Sequence, residues 1–586
     1  MNKSNFAPAS LLRGLFLALA LGAATSVRAA DSGSPDLILH HGKIVAVDAA
    51  FSIHEAIAVR QGRIVGLGSN DRILQLRGAG TQVVDLAGRT VLPGLIDSHV
   101  HSIGASMTEF DHEIPAMESI ADVLAYIRDR ATKVKPGDWI NLSQVFITRL
   151  KESRYPTLAE LDTAAPQNPV LYSTGPDAMC NSLALKLSGI DRNFKVTDGS
   201  GGFVELDPKT GEPTGVLRNS TRFVKSTSKS RRVTEADRVE RLKALFKDYN
   251  AIGLTAICDR GGSVGSLALY EKLRASGDLT LRIAASQGVS YLGPVDKIQE
   301  QIRAVAKDPH FTQPDAWIRV IGIKMFLDGG MLTGSAYMRQ PWGVSTMYGI
   351  SDAAYRGVLF IPKERLLRIV RTAVENGLQF TAHSVGDGAV SALVDAYEEI
   401  NRTLPVAATR PNVTHCNFMT PEAIAKMARL GIGCDIQPVW LYLDSRTLQQ
   451  QFGEARTRWF QPLKTLFASG VLTGGGSDHM QKIGPDRSVN PYNPFLGIAT
   501  AVTRRAKWFE GQMHIEEALT REQALRFYTI NNARLMFMEK DIGSLETGKR
   551  ADLVVLDRDI LSCAENEIAR IQPVATYVEG KKVFSR

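Results

Sequence analysis

Between Gly94 and Lys540, short apolar segments alternate with helical segments, and this alternation constrains the fold more than any other feature of the chain. Strands that alternate with helices form parallel sheets, and eight such units suffice to close a barrel. The candidate strands are "GLIDSHVH", "LTAICD", "LRIAAS", "IRVIGIKMF", "LQFTAHS", "NVTHC", "GIGCDIQ" and "VLTGGGSD". The sequence therefore predicts an α/β fold with a (β/α)8 TIM barrel over residues 93–540.

Helix signals and one long insertion fit this arrangement. The Thr420-Pro421 pair is a typical helix start, and Thr520 with Gln523 forms a capping box. Between the first two candidate strands, residues 138–233 carry strand-like and turn-rich segments that no barrel unit requires. We expect this region to be an insertion in the barrel.

The two ends of the chain beyond the barrel are both rich in short strands. Residues 30–92 contain three β-rich runs separated by glycine-containing turns, and residues 541–586 contain two more. The segments between them have a different pattern. We therefore expect the two ends to pair into one small β-sandwich domain.

The first 29 residues have the composition of a secretory signal peptide. Lys3 and Arg13 precede an apolar stretch, and Val27 and Ala29 occupy the small-residue positions of a cleavage site. Cleavage after Ala29 would give a periplasmic or secreted protein with no stable membrane insertion. The alternative is an uncleaved membrane anchor, but the apolar run is shorter than the ~20 residues that span a bilayer.

The charge pattern argues against a nucleic-acid partner. The formal net charge is +8, of which three units belong to the N-terminal segment, and the other basic residues are interleaved with acidic ones. This differs from the basic stripe with aromatics that is typical of nucleic-acid surfaces. The five cysteines show no C-x-x-C spacing, which argues against a disulfide framework but leaves one bridged pair open.

The segment "GLIDSHVHS" places two histidines one residue apart at the end of the first candidate strand. Because side chains alternate faces along a strand, His99 and His101 would aim their imidazoles at one point. Two such imidazoles suit a single metal ion. A His-x-His pair is a weak motif on its own, and two surface histidines on a polar strand end are the alternative.

Three further strand ends carry polar side chains. His383 lies near the end of "LQFTAHS", His415 near the end of "NVTHC" and Asp478 at the end of "VLTGGGSD". Taken singly, each histidine could be a hydrogen-bonded barrel residue, and Asp478 could cap a helix. Barrel enzymes act at the C-terminal ends of their strands, so the set together with His99 and His101 predicts a metal site there.

Lys324 is the polar residue inside the fourth candidate strand, "IRVIGIKMF". A buried ammonium group is costly unless it is paired with a negative charge or chemically changed. We therefore include Lys324 among the candidate site residues.

These motifs resemble the amidohydrolase superfamily, and within it the metal-dependent hydrolases of amidohydrolase family 3, a group that includes formamide deformylases. The resemblance covers nearly the whole mature chain, and as a set its motifs are highly specific. They are "VLPGLIDSHVH", "KMFLDGG", "TAHSVGDGAV", "VTHCN", "GGGSD", "NPFLGIATAVTRR" and the segment over residues 524–557.

The resemblance implies a role for each candidate residue. The histidines of strand one bind one metal ion, and those of strands five and six bind a second. A carboxylated lysine can bridge the ions, and the final aspartate binds metal and moves protons. Carried over to this chain, the metal ligands are His99, His101, Lys324, His383, His415 and Asp478, and the cofactor is zinc or another divalent metal with one or two ions per chain.

The implied reaction is hydrolysis of a carbon–nitrogen bond in a small amide-like molecule, such as an N-formyl or N-acyl compound. Metal-activated water attacks, and Asp478 is the catalytic residue that passes a proton to the leaving nitrogen. Cyclic amides, carbamates or esters would use the same site. An inert binding or regulatory barrel is the non-enzymatic alternative, which the presence of every ligand type disfavours. The sequence is compatible with a monomer and with a homodimer.

The chain departs from the family pattern near the expected substrate pocket. Asp177 stands where relatives commonly have a histidine, and Ser384 and Gly388 stand where relatives often have other residues. These departures leave the substrate undefined. Four residues on barrel loops are pocket candidates, with ordinary packing or a solvent-facing loop position as the alternative for each: Asp328, Trp342, Trp440 and His479.

Overall fold

The computed structural model describes residues 33–143, 145–227 and 232–586, and the signal peptide expected at residues 1–29 lies outside them. Eight strands form one sheet in sequence order, and all neighbours in it are parallel. The predicted (β/α)8 barrel is confirmed. Barrel strands one to eight are Leu95–Val100, Leu254–Gly262, Arg282–Gly288, Ile318–Phe326, Gln379–Ser384, Asn412–His415, Gly433–Ile436 and Thr473–Gly475.

The barrel closes where strand eight leads back to strand one. The backbone N–H of Asp478 donates to the carbonyl oxygen of His99 at 2.8 Å, and that of His101 donates to the carbonyl of His479 at 2.7 Å. This closure joins residues almost 380 positions apart in the sequence. It brings the ends of the first and last strands side by side.

Helices surround the barrel and cover it with their apolar faces. In the helix Lys363–Glu375, for example, Leu366, Ile369, Val370 and Ala373 are buried, which is the spacing of one helix face. Within the described residues, none of the helices combines the length and the apolar character that a bilayer crossing requires. The helices are Ser102–Met107, Ile120–Lys133, Glu235–Ala251, Val264–Ala275, Val295–Val305, Pro309–Thr312, Lys363–Glu375, Asp387–Asn401, Pro421–Leu430, Pro438–Thr457, Leu463–Ala468, Pro494–Thr503, Arg521–Phe527 and Ile530–Leu535.

The two predicted helix starts are confirmed by their caps. Thr420 Oγ1 accepts from the backbone N–H of Ala423 at 3.1 Å, and this helix ends at Gly431, whose φ is +66°. At the other start, Thr520 Oγ1 accepts from the N–H of Gln523, whose side chain accepts in turn from the N–H of Thr520. Both helices therefore begin where their side chains can satisfy free backbone donors.

A second sheet lies between barrel strands one and two in the sequence. It packs on the loop that follows strand four and on the helix that follows strand seven, because Tyr172 and Val216 share an apolar cluster with Leu332 and Trp440. The sheet therefore borders the C-terminal end of the barrel. Its strands in spatial order are Phe203–Leu206, Pro213–Arg218, Ala178–Cys180, Val170–Ser173 and Ile140–Ser143, and its helices are Leu158–Ala164 and Ser182–Ser188.

The two chain ends form a β-sandwich, as predicted. Its larger sheet joins them directly, since Leu553 pairs with Pro93 and Val555 with Val91 in antiparallel register. That sheet consists of Lys581–Ser585, Pro573–Val578, Leu553–Leu556, Thr90–Pro93, Lys43–Val45 and Ile53–His54. The facing sheet consists of Arg63–Gly68, Ala56–Arg60, Leu37–His40 and Gln82–Asp85, with the helix Asn70–Leu74 beside it.

All five cysteines are free thiols, so the bridged pair that the sequence left open is not formed. Cys180, Cys258, Cys416 and Cys434 are buried, and Cys563 is partly exposed. Burial in apolar surroundings raises the pKa of Cys180 and Cys258 to about 12. These side chains therefore pack as small apolar groups.

The sandwich and the barrel meet at the start of barrel strand one. Gly94 links the two units, and a Cβ at this position would lie 2.0 Å from Oγ1 of Thr255 on strand two. A buried ion pair adds a second connection, because Arg282 of strand three donates to both carboxylate oxygens of Asp552 at 2.6 and 2.9 Å. The guanidinium of Arg282 also lies over the ring of Trp317, 4.6 Å from its centroid.

We expect Asp552→Ala to lower the free energy of unfolding by about 3–5 kcal/mol, because the change leaves a buried guanidinium without its main counter-charge. Urea unfolding followed by circular dichroism measures the change. The matched control is Asp129→Ala, which breaks an exposed pair with Lys133 and should cost no more than about 0.5 kcal/mol. Equal losses in the two variants would contradict the assignment.

Candidate metal centre

Three side chains meet at the C-terminal end of the barrel. Nε2 of His99 lies 3.3 Å from Nε2 of His101, and Oδ1 of Asp478 lies 3.3 and 3.2 Å from these two nitrogens. His99 and Asp478 are buried, whereas His101 is partly exposed. Within the described residues, this is the only group of metal-binding side chains at the barrel mouth whose donor atoms all lie within 4.8 Å of one another.

The strands position these groups in two ways. His99 and His101 project from one face of strand one because they are two residues apart, as expected from the sequence. Asp478 reaches them because strand eight can approach strand one closely. A Cβ on Gly476 would lie 2.8 Å from Oδ1 of Asp97 and 2.9 Å from the backbone nitrogen of His99, so the glycine run permits this approach.

The backbone at two of the predicted residues is strained. Asp478 has φ = +56° and His415 has φ = +79°, values that residues other than glycine seldom adopt. The carbonyl oxygen of Asp478 accepts from Nδ2 of Asn490 at 2.6 Å, while Oδ1 of Asn490 accepts from Trp440 and Arg149. These bonds hold Asp478 in the conformation that turns its carboxylate toward the histidines.

A buried carboxylate fixes the orientation of His99. Asp435, on strand seven, lies with Oδ2 2.9 Å from Nδ1 of His99, so Nδ1 carries the proton and Nε2 keeps its lone pair toward the centre. The same carboxylate accepts from Nδ2 of Asn412 at 2.5 Å and from Oγ1 of Thr414 at 3.0 Å. Asp435 is completely buried, and these donors compensate its charge.

Gln437 orients the ring of His415, as Asp435 orients the ring of His99. Its Oε1 lies 2.7 Å from Nδ1 of His415, which directs Nε2 of that ring away from the amide. Nε2 of Gln437 lies 3.3 Å from Oδ2 of Asp435. The two histidines are therefore oriented by one connected hydrogen-bond network.

Neither Asp435 nor Gln437 is among the site residues predicted from the sequence. The signal was present, because the two polar residues stand two positions apart in the apolar segment "GIGCDIQ", as the histidines do in "DSHVH". An aspartate and a glutamine on a barrel strand have many structural uses, however. Only the positions of His99 and His415 reveal what they contact.

His415 and His383 continue the cluster from the triad. The ring of His415 lies 4.9 Å from that of His99 and 4.5 Å from that of His383, measured between centroids. Trp440 stacks on the other side of His415 at 4.8 Å. His383 turns Nε2 toward the carbonyl oxygen of Gly329 at 3.2 Å. The structure thus gathers all four predicted histidines, but His383 and His415 stand outside the compact triad.

Lys324 lies on strand four with its side chain buried. Burial lowers the pKa of its ammonium group to about 8, while the charges of Asp435 and Asp478 act in the opposite direction. Within the described part of the chain, Nζ has no carboxylate within 4.0 Å and no hydrogen-bond acceptor; its near neighbour is the ring of Phe326, with the centroid 5.4 Å away. Lys324 is therefore a buried amine without a paired counter-ion.

The buried imidazoles are held in the neutral form. Burial lowers the pKa of His383 to about 3 and holds the pKa of His99 and His415 well below the usual value for histidine. The charge of Lys324 acts in the same direction on all three. A neutral imidazole can offer a lone pair to a metal ion, which a protonated one cannot.

A cavity of about 320 Å³ opens onto the centre. Asp177, in the turn between the strands Val170–Ser173 and Ala178–Cys180, lines it with a carboxylate that accepts from the N–H of Asn219 and from the hydroxyls of Thr333 and Ser335. The rest of the wall combines apolar side chains with the polar residues of the centre. The lining includes His101, Phe146, Thr174, Gly175, Pro176, Asp177, Lys324, Phe326, Gly330, Leu332, Thr333, His383, His415, Trp440, Asp478 and Met480.

Of the four pocket candidates from the sequence, only Trp440 lines this cavity. Asp328 is buried, and its carboxylate accepts from three backbone N–H groups. These bonds fix the loop after strand four. Trp342 donates to the carbonyl of Ala336 within an apolar cluster. His479 is bonded on one side to the hydroxyl of Tyr249 and on the other to a backbone carbonyl. For Asp328, Trp342 and His479, the alternative of ordinary packing is therefore correct.

The triad fits a zinc ion. Two ligands at 2.0–2.2 Å from a tetrahedral zinc ion lie about 3.3–3.6 Å apart, close to the separations of 3.2–3.3 Å found here. Oδ1 of Asp478 is buried and has no hydrogen-bond partner within the described residues, so the protein leaves an anionic acceptor unsatisfied at this point. His99, His101 and Asp478 would supply two neutral nitrogens and one carboxylate oxygen.

Comparison with known proteins identifies the family to which this chain is similar. The model of a family described as the amidohydrolase family matches residues 82–584. The chain is 29% identical to N-substituted formamide deformylase of Arthrobacter pascens over 563 residues, which cover 94% of this chain and 98% of that protein. It is 27% identical to the protein YtcJ of Bacillus subtilis, covering 91% of this chain and 96% of that protein.

A solved structure shows the same fold. A metal-dependent hydrolase of Pyrococcus horikoshii superposes with a TM-score of 0.63 at 22% identity, over 90% of this chain and 99% of that chain. The likeness therefore extends through the barrel and the β-sandwich together. At this level of identity it supports the architecture alone.

We expect Asp435→Asn to weaken zinc binding at the triad by about 10- to 100-fold, because the ring of His99 loses the carboxylate that fixes its tautomer. Competition with a chromophoric chelator measures the zinc affinity. Glu517→Gln is the control, since it also removes the charge of a buried carboxylate, but one that is bonded to Arg458 and Thr465. Equal affinity in Asp435→Asn and the wild type would contradict the proposed orientation of His99.

Proposed function

Because this chain belongs to the amidohydrolase family, and is a metal-dependent hydrolase of carbon–nitrogen bonds, we propose that it cleaves the amide bond of an N-formyl, N-acyl or related small molecule. One observation carries the proposal. Nε2 of His99, Nε2 of His101 and Oδ1 of Asp478 converge beside a cavity of about 320 Å³. This volume lies at the lower end of the range for small-molecule sites.

We propose zinc as the metal that His99, His101 and Asp478 hold. Zinc bound there would lower the pKa of a coordinated water and polarise the scissile carbonyl group. Asp478 lines the cavity and is the acid–base group of the reaction. Its carboxylate accepts the proton of the attacking water and returns it to the leaving nitrogen, so that the amine departs in neutral form.

The other side chains of the cavity bind and orient the substrate. Phe146, Phe326 and Trp440 contribute apolar surface to the wall, and they favour a substrate whose nitrogen or acyl substituent is apolar. The carboxylate of Asp177 is occupied by three protein donors and so shapes the wall. Exclusion of water by the apolar walls would strengthen the electrostatic interactions of the reacting carbonyl.

We propose a second ion position next to the first. His383 and His415 supply its imidazoles, and Lys324 supplies a carbamate after its amine combines with carbon dioxide and releases a proton. The burial of Lys324 without a paired carboxylate supports this modification, because a carbamate between two cations would replace a costly isolated ammonium. His383 must rotate away from the carbonyl of Gly329 to take part.

The activity is tested by offering zinc-loaded protein, without residues 1–29, a panel of N-formyl amides, N-acyl amides, cyclic amides and esters. Release of the amine from an N-formyl or N-acyl compound is the expected result. Turnover of cyclic amides or esters alone would assign the same centre to a different bond. Failure to hydrolyse any of them with zinc bound would favour a binding role.

We expect Asp478→Asn to reduce kcat by about 10²–10⁴-fold, because an amide cannot accept the proton of the attacking water. Steady-state kinetics measure the change, and circular dichroism verifies that the variant is folded. Asp296→Asn, an exposed change on an outer helix, is the control with the same loss of charge and should keep full activity. Full turnover by Asp478→Asn would refute its role.

We also propose that the protein is exported and cleaved after Ala29. The basic start, the apolar stretch and the small residues at Val27 and Ala29 support export to the periplasm or the medium. Expression of the full chain in a bacterial host, followed by fractionation and N-terminal sequencing, should give a protein that begins at Ala30. Intact Met1 in the cytoplasmic fraction would contradict export.

A further inference from the structure

A second cluster of metal-binding side chains lies on the β-sandwich. One ring nitrogen each of His40 and His41 and one carboxylate oxygen of Asp85 lie within 4.8 Å of one another. The sandwich joins the barrel at the start of strand one, whereas His99 and His101 stand at the end of that strand. The cluster is therefore separate from the hydrolytic centre.

Strand pairing explains why two of these residues are neighbours. The strands Leu37–His40 and Gln82–Asp85 are parallel, and His40 is paired with Asp85 in the register. Paired residues on adjacent strands project from the same face of a sheet. The imidazole of His40 and the carboxylate of Asp85 therefore stand side by side.

An unusual backbone conformation brings in the third residue. In a regular strand, His41 would point to the opposite face from His40. Instead His41 has φ = +51°, and the two rings lie 4.3 Å apart between centroids. The backbone N–H of His41 donates to Oδ1 of Asn70 at 2.7 Å, which helps to hold this turn. Both imidazoles consequently lie near one carboxylate.

The hydrogen bonds leave the cluster incompletely satisfied. Nδ1 of His41 lies 3.2 Å from Oδ2 of Asp85, close to the separation of two ligands on one zinc ion. Oδ1 of Asp85 accepts from the N–H of Ala87 at 2.7 Å, which fixes the carboxylate. Nδ1 of His40 is buried and has no hydrogen-bond partner within the described residues. This ring nitrogen is therefore available to bind a metal ion.

We propose that His40, His41 and Asp85 bind one divalent transition-metal ion. Two imidazoles and a carboxylate suit zinc, nickel or copper, whereas magnesium and calcium prefer oxygen ligands alone. The side chains of His41 and Asp85 are 53% and 57% exposed. They can adjust around an ion, and the ion keeps water in its remaining positions and exchanges with solvent.

The site is tested by counting zinc on the zinc-loaded protein. The protein is dialysed against buffered free zinc at rising concentrations beyond the point at which the barrel centre is saturated, and bound zinc is measured by mass spectrometry. We expect one further equivalent per chain. His41→Ala and Asp85→Asn should each remove that equivalent, and both should fold normally because these side chains are exposed.

Two controls separate this site from other imidazoles and from the barrel centre. His54→Ala changes a histidine of the same sandwich that is bonded to Ser52 and lies outside the cluster, so it should keep the further equivalent. Asp478→Asn should also keep it, whatever happens to hydrolysis. The proposal is wrong if the wild type takes up no zinc beyond the barrel centre, or if His41→Ala and Asp85→Asn take up as much as the wild type.

Discussion

The contact between Nδ1 of His99 and the carboxylate of Asp435 is the interaction on which the metal centre depends. It sets which nitrogen of His99 faces the metal centre, and the surrounding donors from Asn412 and Thr414 make it possible to bury the charge of Asp435. Gln437 extends the same network to His415. A buried carboxylate on strand seven thus organises ligands on strands one and six. Removing its charge would weaken the contact that fixes the tautomer of His99.

Barrel closure is the second requirement, because His99 and Asp478 come from the first and last strands. The contact forms only where strand eight can approach strand one without a side chain, at Gly476. Asp478 then adopts a positive φ, held by the amide of Asn490. Such strain persists only when the surrounding bonds determine the conformation. The stability of the closed sheet therefore supports the geometry of the site.

Much of the fold could be predicted from the sequence, because strand and helix patterns are local. The eight barrel strands, the sandwich built from both chain ends and the approach of His99, His101 and Asp478 follow from periodicity and from the rule that parallel strands end together. Contacts made by loops could not be predicted. Asp328 accepts from the distant backbone N–H of Val385, and His479 is bonded to the hydroxyl of Tyr249, far away in the sequence. His383 is turned toward the carbonyl of Gly329, and none of these contacts has a sequence pattern.

Anomalous diffraction of zinc-loaded crystals at the zinc absorption edge tests most directly whether His99, His101 and Asp478 hold the metal. We expect a strong peak about 2.0–2.2 Å from Nε2 of His99, Nε2 of His101 and Oδ1 of Asp478. A second peak near His383 and His415, with added density on Nζ of Lys324, would show the two-ion form. Zinc bound to the protein with no peak at the first position would contradict the assignment of these three residues as metal ligands.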